Sequence, residues 1–374
     1  MAASVRVLEP KIEASKPKSG ALRVVSVEGF PLAHTGQVLG FGANLKEQIE
    51  SALSNVDTAL RDGGSDLSRA VKLNAYVRDD SATASVEAAL DAKFKGASKP
   101  AVSLVTTRLP DAAALVAFDA VGAVEGAVGN AREAAQIHGR VGKACSVLPV
   151  GPRVYISGQA EKGDGTLADA TQKTMASLGR TLSFLGLSTR DVIQVKSFLT
   201  PMERCAEAEK EIAAFFEGGS VPTCVFVEWK SSLPIEIELI ASAPVLKEGS
   251  MVEVRTPPGM TMPAVYSRLT IARHPVTLYT SGLYPVDPKI SPAEQLRSLF
   301  THLKQCLDLG ASDWMHLVKA TYYVNDDELS KQHNIVRPDY FSPRRPPAAS
   351  KATVVGTGRE GYGITMDFIM VPGE

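Results

Sequence analysis

"VIQVKSFLTPM", residues 192–202, decides the fold, because the chain carries it three times in altered form. β-Branched and aromatic residues surround one lysine, the composition of a strand, and the run ends in a turn. "AVKLNAYVRDD" (70–80) and "LVKATYYVNDD" (317–327) share this plan. Their lysines, Lys72, Lys196 and Lys319, stand 124 and 123 residues apart.

Two further markers keep the same step. "HTGQ" (34–37), "ISGQ" (156–159) and "TSGL" (280–283) each follow an apolar run, with Gly36, Gly158 and Gly282 spaced by 122 and 124. Pro100, Pro222 and Pro347 each open a later apolar run, spaced by 122 and 125. Agreement among three independent markers establishes an internal repeat of about 123 residues. That period is too long for a solenoid, so each copy is domain-sized. The expected boundaries are 1–125, 126–249 and 250–374.

Each copy reads the same way along the chain. After the glycine marker, apolar residues recur at helical spacing: Ile49, Leu53, Val56 and Leu60; Met175, Leu178, Leu182 and Leu185; Leu296, Leu299, Leu303 and Leu307. Spacings of three and four give one buried stripe per helix. Gly63, Gly186 and Gly310 follow, as expected for left-handed C-terminal residues. The lysine-marked strand, a second helix and two final strands complete the unit. The order is β-β-α-β-α-β-β, an α+β layer with helices on one sheet face. Strands such as "PTCVFVEW" are apolar enough to need cover on both faces. Three sheets facing inward around a common axis would supply it, as a pseudo-threefold monomer.

Composition sets the function classes. The 374 residues carry a net charge of -1, with 44% apolar, 22% charged and 6% aromatic residues. No general electrostatic pull toward nucleic acid or anionic lipid follows. No apolar run approaches the roughly 18 residues of a membrane span. The first residues lack the apolar core of a secretory signal. Cys145, Cys205, Cys224 and Cys306 are single, without CxxC or zinc spacing, so a reducing cytoplasm is the expected compartment. The six histidines show no metal spacing, and neither metal nor cofactor is expected.

The ordered motifs "VYISGQ", "VIQVKSFLT", "AAFFEG" and "IEIELIA" of the second repeat make the chain resemble the RidA/YjgF/UK114 family, also labelled endoribonuclease L-PSP. The resemblance covers nearly all of residues 20–374, once per repeat. It implies three fused chorismate mutase-like units forming a single-chain pseudo-trimer, with small-molecule pockets at the junctions between repeats. Deaminating members hydrolyse imines and enamines using P-A-R-S on the fourth strand and V-E-I-E on the fifth. Their arginine holds the substrate carboxylate in a fork, and the first glutamate handles water and proton.

Carried over by position, this implies Glu236 as a catalytic carboxylate. The arginine position is Cys224 in "PTCV", Val102 in "PAVS" and Ala349 in "PAAS". The glutamate position is Ala117 in the first repeat and Thr365 in the third. Cys224 becomes a candidate reactive thiol, against the plainer reading of a small buried hydrophobe. Ser157 and Gly158, with Thr35 and Ser281, are candidate substrate-binding residues, against simple turn chemistry. Lys351 is a candidate substitute cation. Glu238 is expected to pair with a lysine across a junction. Arg108 is expected in a surface salt bridge, and Arg344 and Arg345 on a solvated loop.

Three functions compete. The first is a small-molecule-binding or hydrolytic protein whose pockets accept an imine, enamine, keto acid or aromatic acid. The second is a non-catalytic scaffold, favoured by the missing arginines. The third is a ribonuclease or translation inhibitor, opposed by the neutral charge and few aromatics.

Overall fold

The computed structural model describes residues 3–10, 22–95, 99–125, 142–216 and 219–373. The first repeat supplies β1 (Ser4–Leu8), β2 (Val24–Glu28), β3 (Leu32–Thr35), β4 (Val38–Leu39), α1 (Leu45–Asp62), β5 (Ala70–Val77), α2 (Thr83–Lys93), β6 (Ala101–Thr106) and β7 (Val116–Ala123). The second supplies β8 (Cys145–Leu148), β9 (Arg153–Gln159), α3 (Leu167–Phe184), β10 (Val192–Leu199), α4 (Cys205–Phe215), β11 (Thr223–Glu228) and β12 (Ile235–Ser242). The third supplies β13 (Val252–Arg255), β14 (Leu269–Ala272), β15 (Val276–Thr280), α5 (Pro292–Leu309), β16 (Leu317–Val324), α6 (Asp327–Val336), β17 (Ala348–Thr353) and β18 (Ile364–Met370).

The long helix of each repeat starts where its sequence offers a cap. Asn44 accepts from the Glu47 amide and Thr166 from the Asp169 amide, while Ser291 and Glu294 form a capping box behind Pro292. The apolar stripes face the sheets, and Val56, Leu178 and Leu299 are wholly buried. The helix ends differ from expectation in two repeats. Gly186 is left-handed, at φ +70°, but Gly63 and Gly310 have φ near -86° and -84°. There the left-handed residue lies one place later, at Gly64 and Ala311. Gly63 serves packing instead, since a Cβ there would meet Cys145 Sγ at 2.6 Å.

Each repeat builds a four-strand set in which one parallel pair, such as β5 with β6, joins antiparallel neighbours. The edge is completed by strands from the next repeat along the ring. β8 of the second repeat pairs with β3 of the first, and β14 of the third pairs with β9 of the second. β2 of the first repeat pairs with β15 of the third and closes the ring. Each repeat thus lends its opening strand to a neighbour, and all three sheets are interlocked through backbone hydrogen bonds.

The inner sheet faces meet around one pseudo-threefold axis. One axial cluster includes Val71, Ile193 and Val318, which hold the same strand position in the three repeats, with Val121 and Ile240. A second includes Tyr76, Phe198 and Tyr323, again equivalent. Helices cover the outer faces through three separate cores.

Strand register corrects two sequence alignments. Lys72 and Lys319 lie opposite Ala101 and Ala348, but the residue opposite Thr223 is Gln194, not Lys196. Lys196 stands two residues farther along, level with Asn74 and Thr321. The glycine marker of the first repeat is also displaced by one. The Gly36, Ser157 and Ser281 amides donate to equivalent carbonyls, of Ala144, Arg268 and Arg23. Gln37, not Gly36, therefore holds the place of Gly158 and Gly282.

Candidate functional site

Glu236 and Glu238 project from one face of β12, because strand side chains alternate. Ile235, Ile237 and Leu239 fill the helix-side core, leaving the carboxylates on the axial side. There they face the third repeat. Glu238 Oε2 accepts from Lys319 Nζ at 2.8 Å, the expected pairing across a junction. Thr321 Oγ1 also accepts from Lys319, at 3.2 Å.

The same device recurs, with variation, at the other junctions. Lys72 of the first repeat reaches the third: its Nζ lies 3.5 Å from Asp367 Oδ2 and donates to Ser103 Oγ and Thr280 O. At the junction of first and second repeats, neutral Gln194 donates to Thr35 O at 3.3 Å. The matching carboxylate, Asp119, is instead held within its own repeat by Asn74 and Tyr76. Burial pushes Asp119 up, with Lys196 opposing. Burial also acts upward on Asp367, but Lys72, Lys196, a Ser103 hydrogen bond and Lys319 together hold it below its ordinary value.

Glu236 differs from these groups because, among the described residues, no cation pairs with it directly. Burial, then the neighbouring Glu238 charge, push its carboxyl up to about 7, while a Ser350 hydrogen bond and the Lys319 charge pull the other way. The side chain keeps partial solvent access. A carboxyl of this kind exchanges its proton near neutral pH.

Gly158 makes the room. A Cβ there would lie 2.0 Å from Glu236 Oε1. Its amide donates to Ser350 Oγ across the junction at 3.2 Å. Ser157 is buried and fully engaged: its hydroxyl donates to Ser267 O and accepts from the Ala349 amide at 2.8 Å. The second–third junction therefore assembles Glu236, Gly158 and Ser157 with Ser350 and Ala349.

The structure separates Cys224 from Glu236. Cys224 lies on the helix-side core of its sheet, opposite the face that carries the glutamate. Its backbone meets the first repeat, where its carbonyl accepts from the Gln37 amide at 2.9 Å. The arginine position beside Glu236 is thus Ala349 of the third repeat. Lys351 does not substitute for it, because its Nζ donates to Ser330 and Asn334 on the helix side. Thr35 and Ser281 sit at the other two junctions. Thr35 Oγ1 accepts from the Ala120 amide, and Ser281 Oγ from the Arg23 amide.

The other junctions are built differently. Gln37 fills the space that glycine leaves open elsewhere, donating to Phe226 O at 2.9 Å and accepting from its amide at 3.3 Å. It belongs to the repeat whose glutamate position is Ala117, and it packs against the second repeat. At the third–first junction Gly282 faces Thr365 and Ser103, without a carboxylate at the glutamate position. Ser350, Lys319 and Gln37 were missed as site residues. The serine of "PAAS" was the available signal, but it belongs to the repeat after the one carrying the glutamate.

Remaining expectations fall at the surface. Arg108 pairs with Glu203 at 2.8 Å. Arg344 is exposed, whereas Arg345 donates to Val252 O and is tied to the fold. Among the described residues, no cluster of three or more His, Cys, Asp or Glu could hold a metal. No described helix is long and apolar enough to cross a membrane.

The chain belongs to the endoribonuclease L-PSP family, which matches residues 14–124, 142–243 and 260–364, once per repeat. Similar solved structures include a Mycobacterium tuberculosis member of the YjgF/YER057c/UK114 family, at 27% identity, covering 26% of this chain and 83% of that one, with TM-score 0.23. A Neisseria meningitidis YjgF-family protein is 18% identical, with coverages of 33% and 96% and TM-score 0.24. A Yersinia pestis member of the conserved Rid family is 24% identical, with coverages of 26% and 84% and TM-score 0.24. No curated protein matches. The fold is three fused α+β units of this family, closed into a single-chain pseudo-trimer.

Proposed function

We propose that this chain binds a small imine, enamine or carbonyl metabolite at the second–third junction and hydrolyses the imine there. The observation that carries this reading is the Glu236 carboxyl, partly open to solvent and pushed up to about 7. A group titrating near the working pH can take a proton from water and return it to nitrogen. Water adds to the C=N carbon as Glu236 accepts its proton. The nitrogen then takes up protons and leaves, so imine and water give carbonyl compound and ammonia. Ser350, across the junction, orients the carboxyl.

Ala349 replaces the arginine, so no guanidinium fork anchors a substrate carboxylate beside Glu236. Weak binding of 2-imino acids and preference for ligands without a carboxylate follow. The test is ammonia release from enzymatically generated 2-iminobutanoate and from an imine lacking the carboxylate. Wild type should exceed buffer, and Glu236→Gln should match buffer. Wild type at the buffer rate with both substrates would overturn hydrolysis.

Binding without turnover is the second reading, favoured by the absence of arginine at Val102, Cys224 and Ala349 alike. It is recognised by a ligand that raises the melting temperature of wild type without ammonia release.

A further inference from the structure

We propose a second ligand site, on the pseudo-threefold axis, that takes a small organic carboxylate through Arg153. Leu32, Arg153 and Thr277 hold the same position on β3, β9 and β15, two residues before His34, Tyr155 and Tyr279. All three line one cavity of about 110 Å³, with Val27, Phe30 and Leu148. That space suits several waters or one small organic acid. It lies among the loops that link β2 to β3, β8 to β9 and β14 to β15. Glu236 lies outside its lining.

Arg153 is 5% exposed and forms no ion pair among the described residues. Its Nη1 and Nη2 donate to the carbonyls of His274 and Val276, at 2.9 and 3.2 Å. Its Nε–H has no partner among the described residues. The other guanidinium on the cavity, Arg273, already has a carboxylate partner, Glu253 at 2.8 Å, which it shares with Arg255. An enclosed cation without a counter-ion is costly, and a bound carboxylate offsets that cost. Leu32 and Thr277 supply no competing charge at the equivalent positions.

The wall decides the ligand class. Val27, Phe30, Leu32 and Leu148 contact an apolar body, while one guanidinium meets one anionic end. A monocarboxylate with a short aliphatic or aromatic body fits this arrangement. A phosphate dianion does not, since one guanidinium offsets a single charge and most of the wall is apolar. Below the cavity, Tyr279 Oη and both His34 ring nitrogens are buried without partners, so water or a ligand there would find donors and acceptors.

The test is equilibrium dialysis of the full chain with labelled benzoate and butyrate, against benzamide and inorganic phosphate. One equivalent of carboxylate should bind, with benzamide and phosphate at least about tenfold weaker. Arg153→Leu should weaken benzoate at least about tenfold, and Glu236→Gln should leave it unchanged, which separates this site from the junction site. If Arg153→Leu does not fold, Val150→Trp carries the test: Val150 is 56% exposed on the cavity lining, and the larger ring should obstruct entry. The proposal is overturned by no carboxylate binding, by equal benzamide or phosphate binding, or by benzoate affinity unchanged in the folded Arg153 or Val150 variant.

Discussion

Lys319 Nζ and Glu238 Oε2 lie 2.8 Å apart, with side chains 6% and 4% exposed, and join the third repeat to the second. Removing one partner leaves the other as an uncompensated buried charge. Lys319→Met should therefore lower unfolding free energy by about 3–5 kcal/mol. Lys319→Met/Glu238→Leu should regain most of that loss. Urea denaturation of the three proteins checks this, and a single-variant loss below about 1 kcal/mol would contradict the pairing.

Glu236 makes stability depend on pH in a defined direction. Its folded value, about 7, exceeds the reference 4.5. Below 4.5 both states hold the proton and the group costs nothing. Between 4.5 and 7 the unfolded chain releases a proton that the native state keeps, so stability falls as pH rises. Above 7 the penalty is complete. Glu236→Gln should match wild type near pH 4 and exceed it above pH 7 by about 1–3 kcal/mol, the upper end reduced by solvent contact. Denaturant titrations across that range measure the gap, and a gap independent of pH would contradict the burial of the carboxyl.

Gly158→Ala places a methyl group on the Glu236 carboxyl, 2.0 Å from Oε1. The methyl would also meet Glu236 Cγ at 2.5 Å, so the whole glutamate side chain must rotate away. The stability loss should be about 1–3 kcal/mol, while any turnover that depends on Glu236 should disappear. Gly36→Ala is the control, because its nearest atom would be 3.4 Å away. Comparable losses of turnover in both variants would contradict the role given to Gly158.

The repeat architecture was legible because helix stripes, glycines and prolines recur at one period. The axial cover was legible because strands such as β11 are apolar on both faces. The register was less so. Lysine looked like a constant of the third strand, yet Gln194 takes its place and Lys196 stands two residues on, sharing the same face. The exchange of opening strands could not be read, since alternation specifies a face and not a neighbour. Nor could the insertion of β10 between β11 and β12, which sends Cys224 and Glu236, close in sequence, to different junctions. The partner of Glu236 lay more than a hundred residues away, in the Ser350 of the following repeat.

Gln37 occupies the first–second junction through two hydrogen bonds to the Phe226 backbone. Gln37→Ala removes both of these bonds to β11 and should cost about 1–3 kcal/mol. Gln37→Glu should cost more, since one of the two bonds requires a donor. Thermal melts of both variants check the order, and equal stability to wild type would show that the side chain does not hold the junction.

The most direct measurement is the titration of the Glu236 carboxyl itself, by carbon-13 NMR of protein labelled at the glutamate δ-carbon, assigned by loss of one resonance in Glu236→Gln. A midpoint near 7 is expected, moving when an imine or carbonyl ligand is added. A midpoint near 4.5, unmoved by any such ligand, would contradict a proton-active site between the second and third repeats.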